Sequence, residues 1–312
     1  MIRTLALAAM ASLSLIARAD AVDKLTVILD WFVNPDHGPL IVAKEGGYFD
    51  RAGLDVELIA PADPSAPPKL VAAGQADVAI TYQPDMMLHL KEGLPLLRFG
   101  TLVETPLNSL VVLKDGPVKT LADLRGKKIG YSISGFEDVY VGVLLDSVGL
   151  KASDVTLINV NFNLTSSLLA GQVDAVIGAF RNFELTQLAL EGKEGYAFFP
   201  EENGVPPYDE LIYVTRTELA DDPRLARFVD AIEDATIFLT NHPDAAFDMF
   251  INGHPDLDDE LNRRAWFDTL PRFAKRPGAI DRRRYDRFGA FMKEEGLIDE
   301  VPPFDSYNVM LK

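Results

Sequence analysis

An eight-residue pattern occurs twice in this chain. Ala73-Gly74-Gln75-Ala76-Asp77-Val78-Ala79-Ile80 is matched 97 positions further on by Ala170-Gly171-Gln172-Val173-Asp174-Ala175-Val176-Ile177. A second match lies upstream of each copy: Gly53-Leu54 followed by Val56-Glu57-Leu58, and Gly149-Leu150 followed by Val155-Thr156-Leu157. The spacings from Gly53 to Gly74 and from Gly149 to Gly171 differ by one residue, so chance does not account for both matches. Each copy reads as a helix ended by Gly at the C′ position, where a left-handed backbone suits glycine best, followed at once by a short apolar strand. A further strand precedes each unit, Leu25 to Leu29 in the first and Lys128 to Tyr131 in the second. Both halves therefore run strand, helix, strand, helix, strand. That order predicts an α/β protein of two parallel-sheet lobes, around 23–113 and 116–212.

The lobes are expected to join near Lys114-Asp115-Gly116-Pro117 and near Tyr213-Val214-Thr215. Arg224 to Leu239 carries apolar residues at helical spacing, and the segment after the second join is expected to pack back on the first lobe. The resulting division is lobe 1 over 20–114 and 215–312, and lobe 2 over 115–214. Residues 1–19 stand apart as a leader: Met1-Ile2-Arg3, an apolar run from Leu5 to Ile16, then Ala17-Arg18-Ala19 as an A-x-A cleavage site. The run falls short of the roughly 20 residues a membrane span needs. With about 290 residues after the leader, two domains are the default.

The chain has no cysteine, which excludes disulfides, thiolate metal sites, a cysteine nucleophile and the lipid-anchored cysteine of a bacterial lipoprotein. A freely diffusing periplasmic protein is the expectation. The 47 acidic against 30 basic residues give a net charge of -17, which argues against nucleic acid and anionic membrane as partners.

In open parallel α/β sheets, ligands lie beyond the C-terminal ends of the strands, where loops and helix N-termini converge. The repeat points to four such ends: Asp30 to His37, Thr81-Tyr82-Gln83, Ser132 to Glu137, and Ala179 to Glu184. They are rich in aromatic, amide and acidic side chains, the combination that stacks a planar ring and hydrogen-bonds its edge. Trp31 is either a stacking platform or a plug between helix and sheet. Asn34 either contacts the ligand or caps the helix that begins near Gly38. His37 either donates to a ligand or packs, and no second His close by makes it a metal ligand. Thr81, Tyr82 and Gln83 precede Pro84 and form either a contact set or a plain turn. Ser134, Phe136 and Asn182 complete the candidates for ring and edge contacts. Glu137 and Glu184 either stabilise helix N-termini or accept N–H groups from the ligand, with Glu184 the preferred acidic contact. Tyr208, after Pro206-Pro207, is a candidate hinge or lid aromatic.

Several of these stretches resemble one known family. Leu29-Asp30-Trp31 with Asn34 and His37, Val42 to Phe49, Gly53 to Val56, Gly126 to Tyr131 and Ile177 to Glu184 are together similar to the thiamine-pyrimidine family, over roughly 25 to 250. That family includes periplasmic binding proteins of ABC importers for thiamine pyrimidine precursors, and fungal enzymes that make hydroxymethylpyrimidine. The resemblance implies a type II periplasmic-binding-protein fold with a ligand cleft between two lobes. It also implies a small heterocyclic ligand of the formylaminopyrimidine or hydroxymethylpyrimidine type, an inner-membrane permease and ATPase as partners, a monomer, and no cofactor. Similar folds carry riboflavin, sulfonates or nitrate. An anion would draw on Ser132, Ser134, Gly135 and Arg181, but Glu137 and Glu184 flank the same loops and would repel it.

The enzyme branch implies a lysine that holds pyridoxal phosphate just after the G-x-x-D strand, a histidine four positions on, and a cysteine-rich iron-binding run. Here Thr81 stands at the lysine position and Asp85 at the histidine position, and cysteine is absent. Without an amine at that position no Schiff base forms there, so a binding protein rather than an enzyme is expected.

Overall fold

Ten strands run along the described residues: β1 (Asp23–Ile28), β2 (Leu54–Ile59), β3 (Val78–Thr81), β4 (Leu96–Val103), β5 (Asn108–Leu113), β6 (Lys128–Tyr131), β7 (Thr156–Asn159), β8 (Ala175–Phe180), β9 (Gly195–Phe198) and β10 (Leu211–Arg216). They form two five-stranded sheets, in the orders β2-β1-β3-β10-β4 and β7-β6-β8-β5-β9. The computed structural model describes residues 22–311, and the leader expected over 1–19 lies outside them.

The repeated octet has the same structural job in both sheets. Gly74 and Gly171 have φ of +72° and +68° just after short helices, the left-handed turn that returns the chain to the sheet. The aspartate of each octet then ties the third strand to the first. Asp77 accepts the Thr26 N–H at 3.0 Å, and Asp174 accepts the Lys128 N–H at 2.9 Å. The strands that follow are buried on both faces, as Val78–Thr81 shows, which fits their unbroken apolar character.

Helices α1 (Gly38–Glu45), α2 (Tyr48–Arg51), α3 (Pro67–Ala72) and α4 (Gln83–Lys91) belong to the first half, and α5 (Phe136–Asp146), α6 (Leu164–Leu169) and α7 (Glu184–Leu190) to the second. The chain then adds α8 (Pro223–Asn241), α9 (Pro243–Gly253), α10 (Glu260–Thr269), α11 (Arg282–Glu294) and α12 (Phe304–Tyr307). This segment returns to the first lobe. Asp222 caps α8, which packs on α1 and α2, while Arg224 pairs with Asp77 at 3.2 Å and Arg227 with Asp23 at 2.5 Å.

The sheets are mixed rather than wholly parallel. In each, four strands run one way and the fifth against them: β10 is antiparallel to its neighbours β3 and β4, and β5 to its neighbours β8 and β9. Both antiparallel strands are the ones that enter a lobe straight from the other. This corrects the joins expected near 114–117 and 213–215, and with them the boundaries at 114/115 and 214/215. Residues 108–113 already belong to the second sheet and residues 211–216 already to the first, so the chain crosses over 104–107 and 199–210. Pro106 and the Pro206-Pro207 pair mark the true crossovers, because proline cannot donate to a strand ladder.

One buried acid fastens the two crossovers together. Glu210 accepts the N–H groups of Leu107 and Asn108 and the hydroxyl of Tyr208. Burial pushes its carboxyl up to about 7, against the lowering effect of those donors.

Candidate functional site

The loops beyond β1, β3, β6 and β8 meet at a cleft of about 420 Å³, its open mouth included. The first lobe contributes Asp30, Trp31, Asn34, Asp36 and Tyr82; the second contributes Ser132, Ile133, Glu137, Gly178, Phe180, Phe183 and Glu184. Four of these side chains are carboxyls, and among the described residues no lining side chain is basic.

On the first-lobe wall a chain of hydrogen bonds fixes Asp30. His37 accepts the Asn34 N–H at Nδ1, which leaves Nε2 to face Asp30 Oδ1 at 3.0 Å. Tyr82 donates its hydroxyl to the other oxygen of Asp30 at 2.8 Å. Asn34 accepts the Asp36 N–H at 2.8 Å and so caps a 3-10 turn over Pro35–His37, while still lining the cleft. Contact and cap are thus compatible for this residue. Asp36 is buried, and that burial pushes its carboxyl up to about 6 against the lowering bond from Asn182.

On the second-lobe wall two glutamates sit in the first turns of α5 and α7 and fold back on the strand ends before them. Glu137 accepts the N–H groups of Ser132 at 2.8 Å and Ile133 at 3.1 Å; Glu184 accepts that of Phe180 at 2.7 Å. Burial raises both carboxyls to about 8, more than the backbone donors lower them, and the charge of Asp36 adds to the rise at Glu184. Neither glutamate has a cationic partner among the described residues. Near neutral pH the two are therefore largely protonated, and each can donate as well as accept a hydrogen bond.

Aromatic rings line and back the cleft. Trp31 meets Phe162 edge-on with centroids 4.6 Å apart, and Phe32 lies 6.1 Å from Phe183 across the lobes. Tyr82 faces Phe136 at 5.1 Å and Phe180 at 6.3 Å.

Of the residues singled out from the sequence, Trp31, Asn34, Tyr82, Glu137 and Glu184 line the cleft. The others are placed elsewhere. His37 is fully buried behind Asp30, so it orients that carboxylate instead of reaching the cavity. Thr81 turns to Asp85, its hydroxyl donating to Oδ2 at 2.9 Å. Gln83 accepts the Asp209 N–H at 2.9 Å near the return crossover. Ser134 is exposed, and Ser132 two residues earlier takes the lining position. Phe136 packs behind Tyr82. Asn182 bonds to Asp36 and Thr269, and Tyr208 is buried with its hydroxyl on Glu210. Arg181 is spent on Glu201 and on the carbonyls of Leu107 and Asn108, and does not line the cleft.

Six lining residues were not picked out, Asp30, Asp36, Ile133, Gly178, Phe180 and Phe183, and Ser132 was named only as a donor to an anion. All but Gly178 fall in the four strand-end loops. The available signal was the loop itself; which of its side chains turn inward depends on the turn geometry.

A family model described as NMT1/THI5 like matches residues 34–246 of the chain. A protein of Haemophilus influenzae named as a thiamine biosynthesis protein is 51% identical over 293 residues, 94% of this chain and 93% of its own length. A formylaminopyrimidine-binding protein of Halalkalibacterium halodurans is 32% identical, covering 78% of this chain and 73% of its own. A protein of Legionella pneumophila named 4-amino-5-hydroxymethyl-2-methylpyrimidine phosphate synthase is 25% identical, covering 89% and 88%. Among solved structures, the alkanesulfonate-binding protein of Xanthomonas axonopodis pv. citri bound to MOPS superposes with a TM-score of 0.70 at 16% identity, covering 90% of this chain and 94% of that one. This last likeness is one of fold.

Proposed function

Since this chain belongs to the NMT1/THI5-like family, we propose that it is the solute-binding component of an ABC importer and captures an aminopyrimidine precursor of thiamine between its lobes. The observation that carries the reading is a cleft lined by Asp30, Asp36, Glu137 and Glu184 and by no basic side chain. Such a wall disfavours sulfonate or nitrate and favours a neutral or basic ring that offers N–H donors. A protonated Glu184 or Glu137 donates its O–H to a ring nitrogen and accepts from the adjacent exocyclic amine. That two-point pairing suits the amidine-like edge of an aminopyrimidine. Trp31 and Tyr82 supply faces for the ring, and Asn34 a further polar edge contact.

A periplasmic site of action, with an inner-membrane permease and ATPase as partners, follows from this role. The synthase branch receives no support from the cleft. No lysine lines it, and Thr81, at the position the branch implies for the pyridoxal phosphate lysine, bonds to Asp85 outside it. The residues present therefore do not fit a pyridoxal phosphate Schiff base.

Calorimetry tests the proposal. Formylaminopyrimidine or hydroxymethylpyrimidine is expected to form an equimolar complex of micromolar or tighter affinity, while taurine and nitrate give no heat. Binding of taurine, nitrate or riboflavin with neither pyrimidine would overturn the ligand assignment.

A further inference from the structure

We infer that Asn182, Asp36 and Thr269 form a latch that holds the two lobes shut, with Thr269 of α10 acting as a positioning residue for ligand retention. The retention part rests on the binding role proposed above. Asp36 sits in the 3-10 turn of the first lobe, Asn182 in the β8–α7 loop of the second, and Thr269 at the end of α10. All three are buried.

The bonding assigns each proton. Asn182 Nδ2 donates to Asp36 Oδ1 at 2.6 Å and to Thr269 Oγ1 at 2.6 Å, which uses both of its N–H groups. Thr269 has one hydroxyl proton, directed to the Ala265 carbonyl at 2.7 Å, with Asp36 Oδ1 a longer alternative at 3.2 Å. The carbonyl of the Asn182 side chain is buried without a hydrogen-bond partner among the described residues. A half-unpaired amide is unfavourable to bury, so its two N–H bonds to the first lobe have to offset that loss.

Thr269 is a fixed anchor. Asp259 caps the start of α10 by accepting the Asn262 N–H at 2.8 Å. Further along, Trp266 is fully buried and donates its indole N–H to the Pro243 carbonyl at 3.1 Å. Its ring lies so close to Gly38 that a Cβ there would come within 2.8 Å of it. Helix α10 is therefore seated on the first lobe, where it also meets α7 of the second, and Thr269 presents its oxygen to Asn182 from that seat. Asp36 lines the cleft as well. One carboxylate thus faces the ligand and also accepts the latch, and this couples occupancy of the cleft to closure.

The chain lacks cysteine, so a pair of dyes can be placed at exposed Lys69 and Lys193, one per lobe, through Lys69→Cys and Lys193→Cys. In the ligand-free protein, Thr269→Val and Asn182→Ala are each expected to shift the inter-dye distance distribution toward larger separations, and Thr269→Ser to restore it. With formylaminopyrimidine, the dissociation rate is expected to rise about tenfold in Thr269→Val, equivalent to roughly 1.4 kcal/mol or one net hydrogen bond, with association changed less than about twofold. Unchanged distances and rates in both variants would overturn the latch. So would a Thr269→Ser variant as open as Thr269→Val, because the hydroxyl it keeps would then not be what holds the lobes shut. If the wild type fails to bind formylaminopyrimidine, the ligand assignment fails, while the ligand-free distances still decide the latch.

Discussion

The carboxyl of Glu137 lies directly against the backbone of Gly178. A Cβ at Gly178 would overlap Oε1 and stand 2.8 Å from Cδ, and the glycine has a φ of +86°. One wall of the cleft thus depends on the absence of a single methyl group.

Gly178→Ala is therefore expected to displace Glu137 from the Ser132 and Ile133 N–H groups and to strain the backbone as well. The strain alone costs about 1–2 kcal/mol, the usual penalty for an alanine in left-handed geometry. Urea denaturation measures the loss of stability, and calorimetry the accompanying loss of affinity. A variant that keeps both would remove Glu137 from the site as described.

Tyr82→Phe keeps the ring between the cleft and Phe136 but removes the hydroxyl that donates to Asp30 at 2.8 Å. Asp30 retains only His37 as a side-chain partner. A loss of about 1.5–3 kcal/mol in stability is expected, the range for a buried hydrogen bond to a charged group. Thermal denaturation of the ligand-free proteins is the check, and an equal midpoint would contradict the bond.

Protonation of buried carboxyls in the cleft and at the crossovers should make the empty protein more stable in mild acid than in mild base. Asp36, Glu210, Glu137 and Glu184 have carboxyls raised by burial to about 6, 7, 8 and 8. Each holds its proton longer folded than unfolded, so its contribution is fully present below the unfolded value near 4 and is lost as pH rises through the folded value. The unfolding midpoint of ligand-free protein is expected to fall between pH 5 and pH 9, the carboxyls near 8 acting last. A midpoint that rises over that window would contradict the assignment.

Glu184→Gln tests the protonated form directly. Glutamine keeps one donor face and one acceptor, so at pH 7 the aminopyrimidine affinity is expected to fall by no more than about 1 kcal/mol, whereas Glu184→Leu loses roughly 1–3 kcal/mol. Wild-type affinity should decline above pH 8 as Glu184 ionises, and that arm of the profile should flatten in the glutamine variant. Titration calorimetry across pH separates the two.

The repeat made the lobes legible, because a positive-φ glycine and an aspartate that ties two strands leave a fixed spacing along the chain. The crossovers were harder to place. Strands β5 and β10 are apolar runs that read naturally as the last strand of the half they follow, and nothing local shows that each pairs in the other sheet. In the cleft, aromatic and acidic loops were visible, but neighbours in one turn face opposite ways. Asp36 lines the cavity while His37 supports it from behind, and Asn182 points to Thr269, which is distant in sequence. Long-range partners of this kind carry no periodicity to read.

The exchange of β5 and β10 bears on the order in which the molecule assembles. The second sheet is complete once residues 108–198 are available, whereas the first lacks a strand flanked by β3 and β4 until residue 216. The lobe that begins the chain thus finishes last, after its sequence successor. A fragment ending at Pro207 would leave the edges of β3 and β4 bare, and bare strand edges recruit other chains. Such a fragment is expected to aggregate rather than survive as a one-lobed protein, so the first half cannot be produced by a simple cut before β10.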